Sequence, residues 1–250
     1  MSEIEGIYAV WLRELKVYIR EKERVIASIV SPLLWIFAFG TGLGSTVTNI
    51  EGVNYRVYIY PGILVMTVLF PSLFYGLYVI WDRRLDFLKE VLVAPVSRVS
   101  VFIGKVFGGC TTVMIQAIAI MIIGFFVGVP MSLDVFVKVL LILFLISIAL
   151  VSLGLSIGAN MKNPEGFMLV ANFVMWPLFF FSGALFSLSN LPSWLLGATN
   201  INPITYGVDA VRGTVIGVQH FPILGDIGVL LIFSLFAIAI GALSFKRMHD

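Results

Sequence analysis

The segment Trp81–Arg98, WDRRLDFLKEVLVAPVSR, interrupts an otherwise very apolar chain and decides how the chain is organised. The 25 residues 57–81 carry no charged side chain, and neither do the 28 residues 106–133. A helix of about 20 apolar residues crosses the ~30 Å hydrocarbon core of a bilayer. The charged segment is therefore predicted to link two membrane spans.

Residues 82–95 within this segment have the pattern of a short amphipathic helix. Apolar side chains recur on one helical face at Trp81, Leu85, Leu88 and Leu92. Pro95 is expected to end the helix, because proline lacks an amide donor and restricts the residue before it. The charged residues point elsewhere: Arg83, Arg84, Asp86, Lys89 and Glu90. Such a helix could transmit force from a soluble partner, although most charge runs are ordinary solvated loops.

The composition places the chain among integral membrane proteins. Of the 250 residues, 60% are hydrophobic and 12% are charged, whereas a soluble domain carries about 25% charged residues. The mean hydropathy is +1.04. The single cysteine, Cys110, excludes an intrachain disulfide. We therefore expect an all-α polytopic protein that forms one transmembrane domain over residues 1–250.

An amphipathic helix is predicted over residues 3–20. Its apolar face is rich in aromatic residues, and the opposite face carries charges that include Glu14. This pattern is typical of a helix that lies in the membrane interface. A soluble helix packed on a partner is the alternative. The interface helix is preferred, because the first span follows directly after residues 1–24.

Six membrane spans are predicted from the charge-free runs. They cover residues 25–43, 57–81, 99–127, 135–159, 166–186 and 221–245. The run 166–208 lacks charge over 43 residues, too long for one span and too short for two spans with a loop. We therefore predict a hairpin over residues 187–220 that dips back into the membrane, with Asp209 and Arg212 paired on its last turn.

Three glycine-containing motifs in the sequence resemble known functional or packing motifs. The run Gly40–Gly44 is not a phosphate-binding loop, because no Gly-Lys-Ser/Thr follows it. The run Gly154–Gly158 has the letters of a serine-hydrolase elbow, but it lies in a charge-free helix without a histidine and an acid to partner the serine. Gly104 and Gly108 form a Gly-x-x-x-Gly pair, which allows helices to approach closely. No catalytic or metal site is expected.

The basic residues predict the orientation in the membrane. With six spans, 13 of the 16 Lys and Arg residues lie on the side of the two termini. Arg56, Lys138 and Arg212 lie on the other side. By the positive-inside rule, both termini and residues 82–95 are expected in the cytoplasm, and the hairpin 187–220 outside a cell (inner or plasma) membrane.

Three stretches of the chain together resemble the permease subunit of ABC-2 type transporters, and especially the drug-resistance and nodulation-factor exporter branch. The first runs from Pro61-Gly62 to Arg84, and the second from Leu88 through Pro95 to Gly104-Lys105. The third runs from Phe181 through Asn202-Pro203 to Gly213 and is the most specific. With the span count and the N-terminal helix, the resemblance covers nearly the whole chain.

The resemblance implies the type V exporter fold and a set of partners. Two permease chains, expected to form a homodimer, would work with two copies of a separate ATPase that binds ATP and Mg. This chain itself is expected to hold no cofactor and to bind no nucleic acid. This agrees with the lack of an ATP-binding motif. The N-terminal helix and the helix after span two would touch the ATPase. The expected contact residues are Arg83, Arg84, Asp86, Lys89 and Glu90.

The resemblance also places the substrate path between the two permeases, near spans two and five. The residues expected to line it are Phe70, Phe74, Tyr75, Tyr78, Met168, Asn172, Met175 and Phe179. This lining suits an amphipathic drug, a lipid or a lipid-linked glycan exported from the cytoplasm. The alternative is a self-sufficient channel or an ion-coupled carrier. A carrier usually needs ionisable residues within its spans, whereas here the charges are expected at span ends.

Overall fold

The computed structural model describes residues 2–47, 49–85, 96–189 and 191–248, and almost all of this part is helical. Its α-helices are α1 (Glu3–Arg20), α2 (Lys22–Phe37), α3 (Tyr55–Phe74), α4 (Leu77–Arg84), α5 (Arg98–Phe126), α6 (Leu133–Asn160), α7 (Pro164–Phe180), α8 (Ser193–Ile201), α9 (Pro203–Ile216) and α10 (Ile223–Arg247). The predicted helix over residues 3–20 is confirmed. Most of the predicted helix over 82–95 lies outside the described residues.

A small hairpin connects the first two spans. Helix α2 continues through a π-turn (Ala38–Gly42) and a 3-10 turn (Leu43–Ser45). Strands β1 (Asn49–Ile50) and β2 (Val53–Asn54) then pair antiparallel, with Ile50 opposite Val53. Glu51 and Gly52 form the turn with φ of 50° and 79°. Two positive φ angles match the right-handed twist of a two-residue hairpin.

Five helical segments in the described part are long and apolar enough to cross a membrane. They are Val25–Gly42, Tyr55–Arg84, Arg98–Phe126, Leu133–Asn160 and Ile223–Arg247. They match predicted spans one, two, three, four and six. In the most apolar window of Tyr55–Arg84, 72% of the residues are buried, against 17% in Val25–Gly42. The second span is therefore the centre of the fold and the first lies at its edge.

The fifth predicted span is shorter than expected. Helix α7 has 17 residues, which at 1.5 Å per residue is about 26 Å, less than the ~30 Å hydrocarbon core. The helix ends at Phe180, because Ser182 donates to the Phe179 carbonyl and accepts the amide of Ala184, while Gly183 has a φ of 69°. The predicted helix end at Phe186 is six residues too late.

Two short helices, α8 and α9, occupy the region predicted as a hairpin, and they fold against the end of α7. Asn202 joins them: its side-chain oxygen accepts the amide of Ile204, and its Nδ2 donates to the Leu178 carbonyl at 2.8 Å. Thr205 donates to the Thr199 carbonyl at 2.7 Å. The end of α7 and the start of α9 are thereby fixed to each other.

The predicted pairing of Asp209 with Arg212 is wrong. The Asp209 carboxylate accepts the backbone amides of His220 and Phe221 at 2.8–3.0 Å. The Arg212 guanidinium donates to the Gly183 carbonyl at 2.8 Å and lies 4.3 Å from the ring centroid of Tyr58. Both side chains are buried, so backbone groups that would otherwise lack partners take their hydrogen bonds.

Candidate functional site

A cavity of about 480 Å³ lies between α2, α3 and α7, and we call it the membrane cavity. Its wall is formed by Ala27, Ser28, Ser31, Pro32, Trp35, Ile63, Met66, Thr67, Phe70, Pro71, Phe74, Gln116, Asn172, Met175 and Trp176. Pockets for small organic ligands typically measure about 300–1,000 Å³. The cavity is therefore large enough to hold an organic molecule.

The wall of the membrane cavity is apolar and aromatic and carries no charge. Its polar groups are hydroxyls and amides, and several of them bond within their own helix. Thr67 donates to the Leu64 carbonyl at 2.7 Å, and Asn172 donates to the Met168 carbonyl at 2.7 Å. Gln116 on α5 adds a buried amide. Such a wall accepts an amphipathic molecule and disfavours a bare ion, whose hydration it cannot replace.

Four of the eight predicted path residues line the membrane cavity: Phe70, Phe74, Asn172 and Met175. The other four lie outside its wall. Phe179 is 2% exposed and packs behind the wall, with its ring centroid 5.7 Å from Phe70 and 5.9 Å from Trp35. Met168 lies on the same helix, one turn before Asn172.

The contribution of the first span was missed from the sequence. Ser28, Ser31 and Trp35 follow helical spacing on α2, and they complete the cavity opposite α3. The signal was present, since two hydroxyls on one face of an apolar span are polar groups that can face a cavity. Trp176 was also missed, and its ring lies 5.9 Å from that of Phe70.

A second cavity, of about 620 Å³, adjoins the first, and we call it the charged cavity. Its wall consists of Arg13, Glu14, Val17, Glu21, Pro71, Phe74, Leu77, Tyr78, Trp81, Asp82 and Leu85. Pro71 and Phe74 belong to both walls. Phe74 thus separates an uncharged chamber from one that bears three carboxylates. Tyr78, predicted on the path, lies here, and it donates to Glu21 at 3.2 Å.

Four charged side chains meet beside the charged cavity, and we call Arg13, Glu14, Asp82 and Lys105 the ion-pair cluster. The Lys105 ammonium donates to Glu14 at 2.9 Å and also to Asp82. Arg13 donates to Asp82 at 2.7 Å and to Glu14 at 2.9 Å. The second Glu14 oxygen accepts the hydroxyl of Tyr75, another predicted path residue, at 2.7 Å. Two cations and two anions balance, which is what burial of charge requires.

The burial of the ion-pair cluster corrects two expectations. Lys105 lies in the third span and is only 1% exposed, although charges were expected at accessible span ends. Glu14 is 4% exposed, although the pattern of α1 placed it on the water-facing side. Ile4, Tyr8 and Ile19 are the large apolar side chains of α1 that are exposed. The glycine pair explains the burial of Glu14, because α1 packs Val10 and Glu14 directly against Gly104 and Gly108 of α5.

Close packing of α1 on α5 depends on Gly104 and Gly108. A Cβ at Gly104 would lie 2.8 Å from the Val10 Cβ, and one at Gly108 would lie 2.6 Å from the Glu14 Cβ. Neither distance is compatible with an added side chain. Trp11 also donates from its indole to the Thr111 hydroxyl at 3.0 Å. The close approach predicted for the Gly-x-x-x-Gly pair is confirmed, and the partner is the N-terminal helix.

The ABC-2 type transporter family model matches residues 5–216, which is most of the chain and includes every residue that lines the two cavities. The chain belongs to the ABC-2 type transporter family.

The relatives of this ABC-2 permease include proteins named as transport permeases and a nodulation protein. The inner membrane transport permease YadH of Escherichia coli K12 is 28% identical over 235 residues, which cover 91% of this chain and 90% of YadH. The putative transport permease ycf38 of Cyanophora paradoxa is 32% identical, over 79% and 70% of the two chains. Nodulation protein J of Rhizobium leguminosarum is 24% identical, over 90% and 88%. Together with its apolar helices, these relatives identify the chain as a multi-pass transport permease.

Of the predicted ATPase-contact residues of the ABC-2 permease, Arg83 and Arg84 lie in the part of the chain that the structure describes. Arg83 donates to the carbonyls of Met161 and Ala159 at 2.9 and 3.0 Å, so its guanidinium holds the carboxyl end of α6. Arg84 is exposed, with its guanidinium 6.0 Å from the ring centroid of Trp81. Asp86, Lys89 and Glu90 lie outside the described residues.

Proposed function

We propose that this permease is the membrane subunit of an ATP-driven exporter that moves an amphipathic or lipid-linked substrate, such as a drug, lipid or glycan, out of the cytoplasm. One observation carries the proposal. An uncharged aromatic cavity inside the fold adjoins a charged cavity, and the two share Phe74. This order of environments fits a molecule with a polar head and an apolar body.

The proposed topology has six crossings with both termini in the cytoplasm. Helix α7 and the turn that follows it would form the fifth crossing, since a short helix can be accommodated by local bilayer thinning. Helices α8 and α9 would form an external hairpin that covers the exit. The excess of basic residues on the side of the termini supports this orientation.

The proposed assembly contains two permease chains and two copies of a separate ATPase that binds ATP and Mg. The sequence itself has no phosphate-binding loop, which fits hydrolysis in another subunit. The membrane cavity lies between α2 and α7, whose outer surfaces are apolar, with Leu34 63% and Phe173 81% exposed. A second copy facing these helices would enclose the substrate path.

An ion-coupled carrier is the second candidate, and the ion-pair cluster favours it. Buried ionisable residues within spans often mark proton or ion pathways. Here, however, each carboxylate is bound by both Arg13 and Lys105 at the same time. Carboxylates that are held in this way are poor proton carriers, because each neighbouring cation favours their charged form. The ATP-driven exporter is therefore preferred.

A reconstitution experiment tests the proposed function. The permease is placed in proteoliposomes with the ATPase encoded beside it, and transport of a fluorescent amphipathic dye and of a fluorescent phospholipid is followed with and without ATP. We expect ATP-dependent movement of at least one probe. Movement driven by a proton gradient without ATP would favour the carrier instead.

A matched pair of variants links this transport to the membrane cavity. Phe74→Ala removes the ring shared by both cavities and should change the apparent affinity for the transported probe severalfold. Phe236→Ala removes an aromatic ring from α10 that is 62% exposed and lies outside both walls. Equal transport by the two variants would show that the membrane cavity is not part of the transport path.

A further inference from the structure

We propose that α1 braces both ends of the segment 86–95, and that Lys105 is the positioning residue that holds this brace. The inference rests on the proposed function, because it concerns how movement of an ATPase-contact segment reaches the membrane cavity. It goes further, because it assigns roles to residues that do not contact the ATPase or the substrate.

The end before the segment is fixed to α1 through Asp82. Its carboxylate accepts two hydrogen bonds from Arg13 on α1, at 2.7 and 3.2 Å, and a further one from Lys105. Asp82 is 4% exposed and lies three residues before the last described residue of this part, Leu85. The chain therefore enters the segment from a point anchored on α1.

The end after the segment is fixed to the other end of the same helix. The Glu3 carboxylate accepts the backbone amide of Ser97 at 3.1 Å and the hydroxyl of Ser100. Gly6 lies directly against Val96, where an added Cβ would be 2.6 Å from a Val96 methyl carbon. The first turn of α1 thus caps the start of α5, where the chain leaves the segment.

Lys105 connects the two fixed ends. It lies on α5, two turns after Ser97, and its ammonium binds Glu14 of α1 and Asp82 of α4. It is 1% exposed, so water cannot replace either partner. Three helices that are distant in the chain therefore meet on one ammonium group.

Movement of the braced segment has a direct route to the membrane cavity. Helix α4, which carries Asp82, continues from α3, which carries Phe70 and Phe74. Because α1 holds both ends of the segment, a displacement would move α1, α4 and the start of α5 together. Without the brace, the same displacement could be absorbed by the two ends separately.

The test uses the permease reconstituted with its ATPase and measures the probe transported per ATP hydrolysed. The triple variant Glu14→Gln, Asp82→Asn, Lys105→Met removes the three buried charges together. Of the cluster it leaves only Arg13, whose side chain is 30% exposed and can reach water. Lys138→Met is the control, because Lys138 forms an exposed i,i+4 pair with Asp134 at 2.7 Å.

We expect the triple variant to insert, to bind the ATPase and to hydrolyse ATP, with transport per ATP at least fivefold lower than in the wild type. Lys105→Arg retains a cation and should restore part of the ratio, whereas Lys138→Met should match the wild type. A folded triple variant that no longer binds the ATPase would also support the brace, because the contact segment would have lost its position. A ratio less than fivefold below the wild type would overturn it.

A second variant covers the case in which the triple variant fails to fold. Glu3→Ala removes the exposed carboxylate that binds Ser97 and Ser100. Glu5→Ala removes a carboxylate from the same turn whose hydrogen bond, among the described residues, is to Ser2 alone. Glu3→Ala should lower transport per ATP at least twofold below Glu5→Ala, and equal ratios would overturn the proposal. If the wild type itself shows no ATP-driven transport, the proposed function fails. If the wild type and the variants all transport the same amount of probe per ATP, only the brace is rejected.

Discussion

Gly76 and Gly154 bring two helices into backbone contact at the centre of the fold. A Cβ at Gly76 would lie 1.8 Å from the Gly154 carbonyl oxygen, and one at Gly154 would lie 2.4 Å from the Leu73 carbonyl oxygen. Gly76 is also where the second span breaks between α3 and α4. The break is therefore held directly against α6, and there is no room for a side chain at either position.

Gly154→Ala should destabilise the permease by about 1–3 kcal/mol, because overpacking a close contact forces the backbones apart. Thermal unfolding in detergent would show this as a lower Tm. Gly228→Ala on α10 is the control, since nothing lies within 4 Å of an added Cβ there and alanine favours a helix. A Gly154→Ala variant as stable as Gly228→Ala would contradict the packing described.

Phe179→Ala and Trp176→Ala should have different effects, although the residues are neighbours on α7. Phe179 is 2% exposed and lies behind the cavity wall, so its loss should lower stability by about 1–3 kcal/mol with little change in probe affinity. Trp176 lines the membrane cavity and is 40% exposed, so its loss should mainly change affinity. Tm and transport titrations on both variants would reveal the difference. The reverse pattern would contradict the assigned wall.

Glu51 should stabilise the contact between the β-hairpin and residues 187–189 down to acid pH. Its carboxylate accepts the hydroxyls of Ser187 and Ser189. Partial burial raises the pKa of Glu51, but these hydrogen bonds and the positive charge of Arg212 outweigh it and hold the pKa below its ordinary value. A depressed pKa in the folded state contributes stability that is complete above the ordinary value of about 4.3. This stability is lost as the pH falls through the lower folded value.

Comparing the Tm of wild type and Glu51→Gln across pH measures this effect. The difference should be small, at most about 1 kcal/mol for an exposed group, constant between pH 5 and 7, and should disappear only below about pH 4. Glu23→Gln, at an exposed position of α2, should show no difference at any pH. A difference that already disappears at pH 5 would contradict the assigned hydrogen bonds.

Cysteine labelling should place the N-terminus and α8 on opposite sides of the membrane. Ser2 and Ser193 are both exposed, and the native Cys110 is buried and can be replaced by serine. With an impermeant thiol reagent on intact cells, Ser193→Cys should react and Ser2→Cys should react only after lysis. Labelling of both from outside would contradict the six-crossing topology.

Of the residues of α3 and α7 that the sequence predicts on the substrate path, only some line the membrane cavity. Phe70 and Asn172 were found because aromatic and amide side chains stand out in apolar spans, and both line the membrane cavity. Phe179 has the same chemistry but faces the core, since the rotation of α7 depends on its packing against Trp35. Trp35 and Trp176 could not be distinguished from residues that face lipid.

The sequence by itself determined the membrane class, the family, the N-terminal helix and five of the spans, because these depend on local hydrophobicity, helical spacing and motifs. The early end of α7 and the burial of the ion-pair cluster were decided only by the tertiary structure. Glu14 and Lys105 are 91 residues apart, and Asp82 and Lys105 are 23 apart. Charges pair inside the fold only when packing excludes water from them, and that exclusion depends on the approach of α1 to Gly104 and Gly108, which no single segment encodes.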